Sequence, residues 1–380
     1  MSNPLVSVAM VTCNADRFLA QAIESILDQT FRDFEFIIVD FGSTDKSVSI
    51  ISTYAAKDRR IRLHLIPNCS MPEARNAACF LAQGQYIAIM DADDVAAKDR
   101  LLKEVDFIGT HPEVGLVGGA VEWIDSNGQS LAFNYVPTGD SEIRASLAVR
   151  CPFWHATVLM RREAFALVGG YRSAFAVGED YDLWLRIAEH FQCANLREVL
   201  LKYRIHSGQI SVRKLAQQTV CLLGAQAAAK SRKNGLPDPV TEGMKITAEA
   251  LTDLGVTRST QRRAFASDYR RWIRHMCWAG EYSTALNAAL EILRSDLEDI
   301  EPWQIADLDL VVAELLWREG QFLTSLQWVG RAVLTRPLVA GRPLKSLLGG
   351  LQRVWERTLF WIDAASIGRR PGLRGGRPPR

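Results

Sequence analysis

Four short apolar runs separated by helix-patterned segments constrain this chain more than any other feature. They are Val6–Val11, Phe34–Val39, Ile61–Ile66 and Tyr86–Met90. Taken together the runs are continuous rather than alternating, which is the pattern of strands covered on both faces. Between the first two, Phe18, Leu19, Ala22, Ile23, Ile26 and Leu27 recur at helical spacing. Ser43–Tyr54 reads as a second helix with Ser43 as its N-cap, and Pro72–Leu81 as a third closed by Gly84. Strands joined by helices predict an α/β fold built on a parallel sheet. Ligands of such sheets lie beyond the carboxyl ends of the strands. Thr12, Asp40 and Asp91 all fall at such ends, so a site is expected there.

The fourth run ends in Asp91-Ala-Asp93-Asp94, three carboxylates within four residues. Clustered carboxylates repel and raise one another's pKa unless a cation sits among them. Oxygen ligands suit Mg²⁺ or Mn²⁺, ions that commonly bind one or two carboxylates plus substrate phosphates. The bland alternative is a solvated acidic turn. Val114–Val121, Thr157–Met160 and Ala194–Ile205 supply further strand material, and Tyr181–His190 a short helix.

After about residue 212 the pattern becomes almost wholly helical. Trp278-Ala-Gly280-Glu-Tyr282 and Trp317-Arg-Glu-Gly320-Gln-Phe322 form a weak repeat, their glycines about forty residues apart. That spacing fits stacked helical hairpins of tetratricopeptide type, or a plain helical subdomain. The expected organisation is therefore an α/β domain over 1–212, a helical domain over 213–340, and a basic amphipathic helix with a tail over 341–380. From Gly341 onward nine Lys or Arg residues face only Glu356 and Asp363, a balance of about +7. Leu344, Leu347, Leu348, Leu351, Val354, Trp355, Leu359 and Ile362 form an apolar stripe beside that charge. Such a helix can lie in an anionic membrane interface or pack on the preceding hairpins.

Composition excludes little else. The seven cysteines are scattered and form no Cys-x-x-Cys, which fits a reducing compartment better than a disulfide framework or zinc site. No signal peptide or bilayer-spanning stretch is evident, so a cytoplasmic location is expected, with peripheral contact at the inner membrane face through the basic end. A net charge of +2 gives no electrostatic case for nucleic acid, and none is expected as a partner.

Seven motifs in order carry a resemblance. Val6–Asn14, Val39-Asp40-Phe-Gly-Ser-Thr-Asp45, Glu73-Ala-Arg75-Asn76 and Tyr86–Asp94 are followed by Gly169-Gly-Tyr171, Glu179-Asp180-Tyr-Asp-Leu-Trp-Leu-Arg186 and Tyr203-Arg-Ile-His206-Ser-Gly-Gln-Ile-Ser211. Together they resemble the family 2 glycosyltransferases of GT-A fold, over roughly residues 5–212. The resemblance implies a nucleotide-sugar donor, a divalent ion and a glycan, lipid-linked or protein acceptor. It implies Asp93 as metal ligand, Asp91 on the ribose or metal shell, and Asp94 in support or as a surface turn residue. Asp40 would read the base, with Thr12 and Asn14 beside it, and Arg75 would contact the nucleotide or diphosphate. Asp180, with Glu179 adjacent, would be the general base at a helix N-terminus, where a carboxylate is kept ionised. One base without a second nucleophile implies single displacement with inversion. His206 follows a strand and imidazole suits Mn²⁺, so it would complete the metal shell or else be a structural histidine, and Trp154 and His155, before the Thr157 strand, would line the acceptor pocket. Trp184 sits at helical spacing with Leu183 and Ile187, as a core residue does. The chain departs from the family at Cys13 (usually Tyr) and Phe41 (usually Asp), which bears on nucleotide choice.

Two enzyme alternatives lack their marks. A sugar-nucleotide pyrophosphorylase would open with a Gly-rich basic loop, but Val8–Asn14 holds no glycine. A processive synthase would carry Gln-x-x-Arg-Trp and membrane helices. A non-enzymatic alternative is a degenerate nucleotide-binding scaffold acting through the C-terminal hairpins. Cys13 and Phe41 favour it, and intact Asp91, Asp93 and Asp180 oppose it.

Overall fold

The computed structural model describes residues 3–209, 214–294 and 300–337. The stripe from Leu344 to Ile362 and the basic tail lie outside them. The strands are β1 (Val6–Thr12), β2 (Phe34–Asp40), β3 (Ile61–Leu65), β4 (Tyr86–Met90), β5 (Val95–Ala96), β6 (Val114–Ile124), β7 (Ser130–Asn134), β8 (Leu159–Arg161) and β9 (Gln192–Arg204). They form one sheet in the order β3-β2-β1-β4-β8-β6-β9-β5, with β7 beside β6. β3, β2, β1 and β4 are parallel, in register Thr12↔Asp40 and Val6↔Tyr86. The sheet is nevertheless mixed, not wholly parallel as expected, because β8 runs antiparallel between β4 and β6 and β5 antiparallel to β9. β1, β2 and β4 are buried almost throughout, whereas β3 is mostly half-exposed, as an edge strand is.

The helices of this first part are α1 (Asp16–Leu27), α2 (Ser47–Ala55), α3 (Met71–Phe80), α4 (Arg100–Thr110), α5 (Asp140–Leu147), α6 (Arg162–Leu167) and α7 (Glu179–Ile187). Two expected boundaries are corrected. Ser43 does not cap α2, whose N-cap is Lys46; its hydroxyl is bonded to the Asp40 carboxylate instead. Gly84 does not close α3, whose C-cap is Leu81. A Cβ at Gly84 would stand 2.7 Å from the Ser7 nitrogen, so glycine is needed for close backbone approach. α3 begins on a capping box between Ser70 and Glu73, with Pro72 in its first turn.

The helical part continues with α8 (Leu215–Lys233), α9 (Ala248–Asp253), α10 (Arg258–Trp278), α11 (Tyr282–Arg294), α12 (Pro302–Arg318) and α13 (Phe322–Thr335). Both halves of the repeat are helix–turn–helix, with Gly280 and Gly320 each at φ 77° between their helices. The chain divides into two compact units, Met1–Ala288 and Ala289–Arg380. In the first, Val220, Cys221, Leu223, Ala225 and Ala228 of α8 share one core with Phe175, Tyr181 and Trp184. Residue 212 marks where strands give way to helices, but this core continues past it. In the second unit α12 packs on α13 through Ala306, Leu310 and Ala332. Among the described residues no disulfide joins the cysteines. Among the described residues no helix is long and apolar enough to cross a membrane.

Candidate active site

The expected residues converge at the carboxyl edge of β1, β2 and β4 from seven segments. Asp91 leaves β4 with its two carboxylate oxygens 3.0 and 3.1 Å from His155 Nδ1. An ionised carboxylate only accepts, so Nδ1 carries the hydrogen. Burial opposes ionisation of Asp91, but His155, Arg75 and Arg100 outweigh it and hold its pKa at about 2. His155 reaches this point because β8 descends beside β4; its Nε2 stands 3.4 Å from the Tyr171 hydroxyl.

Asp93 faces the segment after β9, its Oδ2 3.1 Å from His206 Nε2. Asp94 is 1% exposed, which excludes a surface turn residue. One of its oxygens accepts the Arg204 backbone N–H at 2.8 Å; the other is buried without a partner. Burial, Asp93 and Asp91 push its pKa well above the carboxylate range. Among the described residues no three His, Cys, Asp or Glu side chains form a self-sufficient metal cage. The Asp93–His206 pair supplies one oxygen and one nitrogen, which fits an ion completed by phosphate oxygens and water.

Arg75, on α3, is ion-paired to Glu179, its Nη2 lies 3.6 Å from Asp91, and its guanidinium lies over the Tyr171 ring, 5.9 Å from the centroid. Burial would weaken its charge, but Glu179 and Asp91 keep its pKa raised. Glu179 is buried, and burial raises its pKa against the pull of Arg75. Asp180 follows it in the first turn of α7 and is partly exposed. One of its oxygens accepts the Tyr181 N–H at 2.8 Å. The N-cap is Gly178 at φ 70°, a left-handed position that favours glycine. Asp91, His155, Tyr171 and Arg75 thus form a closed ring, and Glu179, paired to Arg75, joins it to the turn that bears Asp180.

On the β1–β2 side, Thr12 is buried with its hydroxyl unpartnered. Asn14 adopts φ 54° and accepts the Thr44 N–H at 2.8 Å. Asp40 accepts the Gly42 and Ser43 N–H groups at 3.1 and 2.9 Å, so it organises the loop after β2. Phe41 is half-buried and Cys13 exposed. Trp154 donates its indole N–H to Asn134 at 3.2 Å and packs on Tyr203 and Trp123. His155, expected beside it, is turned to Asp91 instead. Trp184 is wholly buried in the core.

Two supporting residues went unread although both sit inside quoted motifs. Tyr171 closes the ring, and Arg204 sits under the Asp93–Asp94 turn. Arg204 stands two residues before His206, a signal that could have found it, whereas Tyr171 follows only glycines and has no such neighbour.

Acids at the tip of the fourth strand, a facing histidine after the last long strand and a carboxylate on α7 thus share the carboxyl edge of a GT-A-like sheet. The family model Glycosyl transferase family 2 matches residues 7–167. The putative glycosyltransferase EpsE of Bacillus subtilis is 37% identical over 208 residues, 53% of this chain and 74% of the relative. The O-antigen biosynthesis glycosyltransferase WbnJ of Escherichia coli is 31% identical over 209 residues, 53% of this chain and 80% of the relative. In fold, the chain is similar to S. aureus TarS in complex with UDP-GlcNAc, with TM-score 0.50, 15% identity, and coverage of 84% of this chain and 88% of that one. The chain belongs to glycosyl transferase family 2.

Proposed function

We propose that this enzyme transfers a sugar from a UDP-sugar to a hydroxyl acceptor with inversion, in assembly of a surface polysaccharide or glycoconjugate. The carrying observation is the 3.1 Å approach of His206 Nε2 to Asp93 Oδ2 at the strand edge. Asp93 and His206 would hold Mn²⁺ or Mg²⁺, which when bound neutralises charge on the diphosphate leaving group. Asp91 is ionised and oriented by His155 to meet the ribose or the ion's shell. Thr12, Asn14 and Asp40 line the nucleoside end. Arg75 sets Glu179 and Asp91 in place beside the diphosphate. Asp180 accepts the acceptor hydroxyl's proton as that oxygen attacks the anomeric carbon and UDP departs on the opposite face. Trp154 offers an aromatic face on the acceptor side. The likeness to TarS with UDP-GlcNAc supports the donor class, and WbnJ's role in O-antigen biosynthesis supports the product class. We place the enzyme in the cytoplasm, with peripheral membrane contact through its basic end.

Calorimetry with UDP and Mn²⁺ tests the reading. Wild type should bind UDP much more tightly with Mn²⁺ than with chelator, and Asp93→Ala should abolish that difference. Equal affinity with and without metal would remove the cation from the mechanism. Hydrolysis of the UDP-sugar by the loaded protein would separate an enzyme from a scaffold.

A further inference from the structure

Asp93 and His206 come from segments 113 residues apart, yet one buried side chain touches the supports of both. Arg204 closes β9 and is 2% exposed. Its backbone N–H donates to Asp94 and its Nε to the Asp93 carbonyl, both at 2.8 Å. Nη2 donates to Gln21 of α1 at 2.9 Å, and Nη1 to the Asp125 carbonyl at 3.3 Å. The guanidinium also lies over the Phe18 ring, 4.4 Å from its centroid. The same ring meets the His206 imidazole at 5.0 Å between centroids. A planar fork with five donors can serve carbonyl, amide and ring at once; an ammonium cannot.

We propose that Arg204 is a positioning residue for the cation site, holding Asp93 through its backbone and His206 through Phe18 before an ion arrives. This rests on the cation reading above. Arg204 bonds to neither ligand atom, so its effect falls on cation affinity, not on nucleotide recognition or the base. Outer partners of this kind change metal affinity by about 10–100-fold when altered.

The test is electron paramagnetic resonance titration of Mn²⁺ at saturating UDP, on wild type, Arg204→Lys and Phe18→Leu. Arg204→Lys keeps the charge and the backbone bond to Asp94 but loses the fork. Its Mn²⁺ affinity should fall about 10–100-fold. Its turnover should recover toward wild type as Mn²⁺ is raised, and UDP affinity without metal should not change. Phe18→Leu should weaken Mn²⁺ in the same direction by less, and it carries the test if the arginine variant does not fold. Unaltered Mn²⁺ affinity in the variants, or lost turnover that added Mn²⁺ never restores, would overturn the proposal in favour of a purely structural role. If wild type itself takes up no Mn²⁺ with UDP, the cation reading fails and the proposal falls with it.

Discussion

Glu179 and Asp180 are adjacent acids with opposite surroundings. Glu179 is buried against Arg75, while Asp180 is partly exposed at a helix N-terminus. That contrast fits one structural acid and one base. Asp180→Asn keeps shape and size but removes basicity. It should cut turnover by about 10²–10⁴-fold while leaving UDP affinity, measured by calorimetry, unchanged. Turnover within a few-fold of wild type would place the base elsewhere. These acids were legible in the sequence because each lies beside an apolar run that fixes where it emerges. The pairing of His155 with Asp91 was not, since it joins residues 64 positions apart. Nor was the burial of Asp94, because a third carboxylate after a strand reads the same whether it faces water or the core.

Among the elements, α10 carries the clearest pH signature. Its His275 packs at a tilt against Trp123, 4.3 Å between centroids, and burial, with Arg271 and Arg274 nearby, lowers its pKa to about 3. A histidine held neutral stabilises the fold above its unfolded pKa of 6.5, and that contribution is lost as pH falls from 6.5 toward 3. The slope is at most about 1.4 kcal/mol per pH unit. Glu104 of α4 has the opposite sign. Burial beside Arg100 raises its pKa to about 7, so its contribution is complete below 4.5 and is lost as pH rises through 7. The raw pH trend therefore mixes the two. His275→Phe keeps an aromatic ring and should show a smaller loss of urea midpoint than wild type between pH 7.5 and 5, followed by tryptophan fluorescence. Equal losses would show that His275 is not buried as a neutral group. The elements themselves were largely readable from periodicity. The direction of β8 was not, because three residues carry no mark of which way they run.

For the whole molecule, the core ignores the change of sequence character at residue 212. α8 contributes to the same cluster as Phe175, Tyr181 and Trp184, so a chain ending at 212 would bare those side chains. Expressed alone, residues 1–212 should be insoluble or bind a hydrophobic dye strongly, whereas residues 1–288 should remain soluble with a cooperative unfolding transition. A well-behaved 1–212 fragment would show that α8 is dispensable. The reversal at β8 has a further consequence. β1, β2 and β4 are locked to one another by parallel register, so the loops they carry can change little without moving all three. Residues 125–157 leave β6 and re-enter at the edge through an antiparallel strand of three residues. Short of His155, which holds Asp91, that stretch could lengthen or shorten without shifting the parallel register. The reversal thus divides the sheet's carboxyl edge into a part bound by parallel register and a part that is not.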